Sequence, residues 1–485
     1  MLKQKARLAV LWSSGVIVIK NGINFGVTIL LARLLTPTEF GTVALLAIFT
    51  GIAGSFVDAG FSSALVQKKV TNITEESTVL WFNLILGTIA MAILWITGPL
   101  IAAFYELPVL SPLIRVMAVN IIISALASVP NAILIKKLNF RLLTKINAIS
   151  IIISSVIAVL MAWYGFGVWS LAAQMLSLSL ASTILTWHLS TWRPSGVFSF
   201  PALKQLFGFG GYLFASSLLN IIFVNSYTIV IGRYFRVADL GHYQRATGLS
   251  ESLSSLLSTV VGRVSFPLFS SIANDKDRLH RAAKLSVRAT MLFNVPAMLG
   301  LFVVAESAVL TLYGDPWRQA VPYLKILAIA GLFLPMHSIN LNLLLAQGYS
   351  KEHFYLEMTK KIAGIAFLIV GAWYGGVIGV AWATLALSII SFYINSYFTL
   401  KNIGYGFVGQ LQDVLPILAV GLLMILSVFL VGYQLPEHSP LILVVKIATG
   451  VFVYYVLVKF LKLSAFTQTM DLLRKVNSRD EMGEV

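Results

Sequence analysis

Apolar runs of about twenty residues or more follow one another along most of the chain, parted only by short polar breaks. In hydrocarbon every backbone N–H and C=O must be paired within the protein, so only helices and closed barrels cross a bilayer. Barrel strands leave weakly alternating segments of about ten residues, whereas a spanning helix needs about twenty apolar positions. The runs fit helices near residues 8 to 33, 41 to 66, 78 to 104, 112 to 135, 146 to 164, 168 to 189, 206 to 232, 241 to 270, 286 to 312, 321 to 347, 354 to 374, 377 to 400, 414 to 432 and 439 to 461. The expected fold class is an all-α polytopic membrane protein with about fourteen transmembrane helices. Lys3, Lys5 and Arg7 precede the first run and no small-residue cleavage site follows it, so it is expected to persist as a spanning helix.

A stretch near the start returns later. Ala32-Arg33-Leu34-Leu35-Thr36-Pro37-Thr38-Glu39-Phe40-Gly41 reappears as Gly232-Arg233-Tyr234-Phe235-Arg236-Val237-Ala238-Asp239-Leu240-Gly241, with Arg, acid and Gly in register. Ala162-Trp163-Tyr164-Gly165 returns as Ala372-Trp373-Tyr374-Gly375, and Ser128 has a counterpart in Ser338. Two rare aromatics recurring at an offset of about 210 indicate a tandem duplication. The expected layout is an N-terminal six-helix repeat over 1–190, a cytoplasmic linker over 191–205 and a C-terminal six-helix repeat over 206–400. Extra helices 13 and 14 follow over 414–463, then a cytoplasmic tail over 464–485 with a disordered end. An even number of crossings gives both repeats the same orientation, related by a pseudo-twofold axis along the membrane normal with a polar interior between them.

Basic residues divide by side. Lys68, Lys136, Lys137, Arg193, Lys204, Arg278, Lys284, Lys361, Lys401 and Arg474 fall on the side of the N-terminus, whereas the opposite loops carry few, mostly at helix ends. By the positive-inside rule both termini are cytoplasmic. The net charge of +16 is therefore a matter of topology and of anionic membrane lipid, not of nucleic acid, because the basic residues form no compact domain. With 58% hydrophobic and 11% charged residues and no cysteine, soluble folds, disulfides and thiolate chemistry are excluded. No phosphate loop ending in Lys-Ser or Lys-Thr, no His-Glu-x-x-His and no Gly-x-Ser-x-Gly occurs, so neither enzyme, cofactor nor metal is expected.

Polar residues inside the apolar runs are the candidates for function. Lys20 lies about twelve residues into the first run, placing its Cα about 18 Å deep, where an ammonium must face protein or water. Asn24 follows one turn on, and the equivalent helix of the second half carries Asn220, Asn225 and Tyr227. These five, with Arg263, are the candidate cavity set. Asp58 and Glu251 are intramembrane acids suited either to pairing with a cation or to coupling with a proton or sodium ion. Arg33, Arg115 and Arg233 stand at external helix ends, where snorkelling competes with a place in the cavity. His337 and Asn340 are expected to hydrogen-bond between helices.

The motif Ala32 to Gly41, followed by Phe56-Val57-Asp58-Ala59-Gly60-Phe61 and Val66-Gln67-Lys68-Lys69, resembles the opening of bacterial polysaccharide-exporter flippases. Phe266-Pro267-Leu268-Phe269-Ser270-Ser271 and Tyr313-Gly314-Asp315-Pro316-Trp317 extend the likeness over nearly the whole chain. The resemblance is to the multidrug/oligosaccharidyl-lipid/polysaccharide exporter superfamily, and within it to the exporters associated with colanic acid and teichuronic acid. It implies that a polyprenyl-pyrophosphate-linked oligosaccharide is moved across the bacterial cytoplasmic membrane, with polysaccharide polymerase and co-polymerase proteins as further partners. It also implies basic cavity side chains for the pyrophosphate, with Lys20 in the helix that carries such a charge, and a lipid-tail groove formed by helices 13 and 14. Two other readings compete: a cation-coupled drug exporter, which calls for a more acidic cavity, and a non-transporting scaffold of a glycan polymerase complex.

Overall fold

The expected helical class holds: the described residues form helices, turns and loops, with no strand. The structure is a computed structural model that describes residues 22–58, 61–68, 70–432, 440–468 and 470, with side chains described outside 56–58, 63, 206–216 and 255–264. The helices are α1 (Gly22–Leu34), α2 (Pro37–Asp58), α3 (Phe61–Gln67), α4 (Ile73–Phe104), α5 (Leu110–Lys136), α6 (Phe140–Trp163), α7 (Val168–Leu189) and α8 (Phe200–Val224). Then come α9 (Ser226–Tyr234), α10 (Val237–Ser271), α11 (Lys276–Leu312), α12 (Ala320–Gly331), α13 (Leu334–Ala346), α14 (Ser350–Ile403), α15 (Phe407–Gly432) and α16 (Pro440–Phe460). Among the described residues, ten helical stretches are long and apolar enough to cross a membrane.

Several expected segments are interrupted. The run over 206–232 breaks at Asn225, whose side-chain amide donates to the Ile221 carbonyl at 2.8 Å and so caps α8. The run over 321–347 breaks after Gly331, because Pro335 near the start of α13 has no N–H to offer the preceding turn. The freed carbonyls find side chains from other helices. Asn294 Nδ2 donates to the carbonyls of Gly331 (3.2 Å) and Leu332 (3.1 Å), and Ser388 Oγ to that of Ala330 (3.1 Å). At 54 residues α14 is too long for one crossing, and it kinks at Gly376, where φ is +60° and ψ −146°. Gly167, between α6 and α7, adopts nearly the same backbone, φ +56° and ψ −130°. Both follow a Trp-Tyr pair, and the four rings are exposed (Trp163, Tyr164, Trp373, Tyr374), as suits the aromatic belt at a membrane interface.

Close packing divides the chain into two compact units, Met1–Gly241 and His242–Val485. In the first unit α4 pairs with α5 and α6 with α7, while α2 packs on α4, α5 and α8. Leu110, Ile114, Ala118, Ile121, Ala125, Val129 and Ile133 form a buried stripe on α5 at helical spacing. Since lipid tails are as apolar as leucine, buried polar groups add the directional ties between helices. Asn83 Nδ2 donates to Ser128 Oγ at 3.0 Å, Thr183 Oγ1 to the Ile123 carbonyl at 3.0 Å and Trp187 Nε1 to the Leu126 carbonyl at 2.9 Å. The segment before α8 lies along the start of α4: Trp192 Nε1 donates to Glu76 at 2.7 Å, Ser195 N to Ser77 Oγ at 2.8 Å and Ser199 N to Thr78 Oγ1 at 3.0 Å.

In the second unit α11 is the central helix, touching α12, α13, α14, α15 and α16. Its buried stripe runs through Leu279, Ala283, Val287, Met291, Val295 and Met298. The expected interhelical role of Asn340 is borne out: Asn340 Oδ1 accepts from Thr399 and Gln410, both at 2.8 Å. His337 Nε2 likewise meets Ser388 Oγ at 3.2 Å. The last helix pair is tied to α11 by Asp413 against Arg288 (2.6 Å) and Lys284 (3.3 Å), by Lys446 donating to Ser307 (2.8 Å) and by Tyr454 donating to the Leu292 carbonyl (2.8 Å).

Candidate functional site

The repeated Arg-acid-Gly motif marks two helix starts that cross in the first unit. Thr36 caps α2, receiving the Glu39 N–H, while the Glu39 carboxylate accepts from Thr36 N at 2.6 Å; this reciprocal box makes Glu39 the required acid. In the first turn of α10 Asp239 pairs instead with Arg236 at 3.2 Å. The glycines bring the backbones together: a Cβ on Gly41 would overlap the carbonyl oxygen of Val237, and one on Gly241 that of Pro37. Each helix thus presents its first-turn carbonyl to the other's glycine, a local twofold arrangement that no larger residue allows.

Arg233, at the end of α9, makes an ion pair with Glu106 at 2.9 Å and lies over the Phe104 ring with 5.0 Å to its centroid. Glu106 reaches it from a left-handed backbone, φ +56°, in the turn between α4 and α5. Burial raises the phenol pKa of the adjacent Tyr105, and the Arg233 charge opposes that rise. Arg33 is exposed at the end of α1, and Arg115 is half-buried on α5 with its Nε unpaired.

Deeper along the helices small and polar residues share the exposed surface with large apolar ones such as Phe25, Leu219 and Leu253. Asn24 is exposed on α1, and among the described residues no atom would come within 4 Å of a Cβ on Gly22 or Gly26. On α2 the half-exposed Thr50, Gly51, Gly54 and Ser55 lie on one side, with the Asp58 backbone closing the helix; the Asp58 side chain is not among those described. A Cβ on Gly51 would lie 3.7 Å from the Ile221 side chain of α8, an ordinary contact. Asn220 is exposed on α8, and Asn225 and Tyr227 are half-buried where α8 gives way to α9. In the second unit Gly248, Glu251 and Ser252 form an exposed face of α10. Arg263 lies further along that helix, its side chain not among those described, and Lys20 lies outside the described residues. The structure therefore places Asn24, Asn220, Asn225, Tyr227, Arg33, Arg115, Arg233 and Asp58 in the first unit and Glu251 and Arg263 in the second.

Sequence reasoning missed Glu106 as the partner of Arg233, since only the fold of the α4–α5 turn brings them together. It also missed Asn83 and Asn294, both fully buried and both reaching the next spanning segment. Their recurrence at an offset of about 210 was a usable signal.

A family model described as polysaccharide biosynthesis protein matches residues 30–322. The teichuronic acid biosynthesis protein TuaB of Bacillus subtilis is 27% identical over 453 residues, covering 92% of this chain and 93% of the relative. The succinoglycan biosynthesis transport protein ExoT of Rhizobium meliloti is 28% identical over 466 residues, covering 93% and 92%. Among solved structures, the lipid II flippase MurJ in an inward closed conformation superposes with a TM-score of 0.75 at 16% identity, over 93% of this chain and 98% of that one. The chain is thus a multi-pass membrane protein with a MurJ-like fold, and with a family model spanning more than half its length it belongs to the polysaccharide biosynthesis protein family.

Proposed function

We propose that the protein is a flippase that moves polyprenyl-pyrophosphate-linked oligosaccharide repeat units across the cytoplasmic membrane for biosynthesis of a polysaccharide of exopolysaccharide, O-antigen or teichuronic acid type. The observation that carries this is the match, over 93% of the chain, to a succinoglycan biosynthesis transport protein, on a chain whose fold is that of a lipid II flippase. The work is transport, not catalysis. Fourteen crossings in two parallel repeats with an added helix pair, both termini cytoplasmic, give the arrangement that alternating access needs.

The physical problem is the diphosphate. Carried unpaired through hydrocarbon it would meet a desolvation penalty that sugar contacts cannot offset, so cations must accompany it. Lys20 is the residue for that role, with Asn24, Asn220, Asn225, Tyr227 and Arg263 around the polar head and Arg33, Arg115 and Arg233 at the external mouth. Asp58 and Glu251 are the sites for ion coupling. The prenyl tail stays in lipid, with α15 and α16 as its groove, and polymerase and co-polymerase proteins receive the product.

Vesicles reconstituted with labelled lipid-linked oligosaccharide test this. Protected substrate should become accessible with the wild-type chain and much more slowly with Lys20→Ala at equal protein level. Unchanged protection with the wild-type chain would leave a scaffold role, and equal rates for the two proteins would remove Lys20 from the mechanism.

A further inference from the structure

One cleft in the first unit has no part in the faces above. It lies where α4 and α8 begin, has a volume of about 630 Å³, and is lined by Asn72, Thr74, Glu75, Ser199, Lys204 and Gln205. That size is typical of a small-ligand pocket. Each of these six side chains donates or accepts hydrogen bonds.

The charges are unevenly matched. Lys68 Nζ reaches Glu75 Oε1 at 2.7 Å and Gln205 Oε1 at 3.2 Å, cancelling the one carboxylate of the lining. Among the described residues Lys204 has no ion pair, and it is exposed. The N-termini of α4 and α8, capped by Asn72 and Ser199, add the positive ends of two helix dipoles. The other carboxylate oxygen, Glu75 Oε2, is buried without a hydrogen-bond partner, an acceptor that lacks a donor.

A ligand suited to this lining brings hydroxyl groups for Thr74 and Gln205 and one negative charge for Lys204. An inorganic phosphate dianion supplies charge but only a single hydroxyl donor, and it leaves most of the cleft empty. A sugar bearing a carboxylate supplies both. We propose that the cleft at the starts of α4 and α8 is a docking site for an acidic sugar, holding a uronate-containing glycan head at the cytoplasmic end of the first unit. This rests on the reading of the protein as a carrier of glycans, and it adds a place where the head is held outside the central passage.

The test uses the full chain in nanodiscs of zwitterionic lipid. The probes are a glucuronate-containing tetrasaccharide, maltotetraose as its neutral counterpart, and glycerol phosphate as a mimic of a lipid headgroup, with binding read by saturation-transfer NMR. The uronate probe should bind better than maltotetraose. Lys204→Ala should weaken it about fivefold and Lys204→Arg should restore it, the size expected for one exposed charge contact. Equal affinity of wild type and Lys204→Ala, or glycerol phosphate displacing the tetrasaccharide at equal concentration, overturns the assignment. Flipping assayed on the same proteins separates the two readings. Lys204-dependent uronate binding by a chain that does not flip refutes the transport reading and keeps the cleft, whereas flipping with no uronate binding refutes the cleft alone.

Discussion

Removing the Asp413 carboxylate should loosen the last helix pair from the second unit, because that one group joins two helices and a turn. Its side chain is 7% exposed. Oδ1 accepts from Arg288 Nη2 at 2.6 Å and Nε at 3.1 Å and pairs with Lys284 at 3.3 Å, while Oδ2 accepts from Tyr405 Oη at 2.9 Å. Stripping one partner from a buried pair costs about 3 to 5 kcal/mol, chiefly because the other charge is left uncompensated. Arg288 retains a bond to Gln468 at 3.4 Å and its side chain is 18% exposed, so Asp413→Ala belongs at the lower end, about 3 kcal/mol. Arg288→Met leaves the carboxylate with Lys284 and Tyr405 and should cost about 2 kcal/mol. The double variant Asp413→Leu/Arg288→Met puts apolar groups in both places and should return to within about 1 kcal/mol of wild type. The assay is the inactivation half-life in detergent at fixed temperature, paired with maleimide labelling of Val420→Cys. The chain has no cysteine, and Val420 is 1% exposed on the packed face of α15, so labelling reports undocking. Strictly additive single effects, or Asp413→Ala with an unchanged half-life and an unlabelled Cys at 420, would refute the reasoning.

Gly41→Ala and Gly241→Ala should each destabilise by about 3 kcal/mol or more, since the added methyl meets a backbone carbonyl that has no rotamer to change; thermal inactivation of each purified variant checks this. Asn294→Leu strands two buried carbonyls and should cost about 2 to 4 kcal/mol, whereas Asn83→Leu frees one hydroxyl and should cost about 1 to 2 kcal/mol, an order that the same assay can reverse. Burial, and then the neighbouring Asp413 charge and hydrogen bond, hold the Tyr405 phenol pKa above its ordinary value of 10.0. Its contribution to stability is therefore complete below about pH 10 and lost as pH rises further, so Tyr405→Phe should flatten the alkaline fall in half-life.

The helices were legible because their apolar runs are long and their breaks polar, and the crossing of α2 with α10 was signalled by the recurring Arg, acid and Gly. The interruptions were not. Nothing local distinguishes Gly331-Leu332 from a continuing helix except Pro335, and the break holds because Asn294, on another helix, answers the freed carbonyls. The first compact unit runs on to Gly241, since α8 packs on α2 and the segment before it is bonded along α4. Such packing depends on which faces meet in three dimensions, and hydropathy along the chain carries no record of that. Of the candidate site, the type of each polar residue was legible, but the pairing of Arg233 with Glu106 depends on a left-handed turn residue that no glycine announces.

Polar side chains serve two different ends in this protein, and their partners tell them apart. Asn83, Asn294, Asn340 and Asp413 are buried and bonded to a second helix, so they fix helices within a unit. Thr50 and Ser55 on α2 and Ser252 on α10 donate to carbonyls of their own helices, at 3.2, 3.2 and 2.6 Å. A hydroxyl satisfied in this way needs nothing from outside, so its face tolerates water, a passing glycan or another protein surface with little change in free energy. Among the described residues nothing would meet a Cβ on Gly22, Gly26, Gly54 or Gly248, which extends the same property. A passage that must be wet in one state and closed in another requires surfaces of this second kind, borne on units held rigid by the first. That division of roles, visible inside each unit separately, is what the flippase reading demands of the sequence.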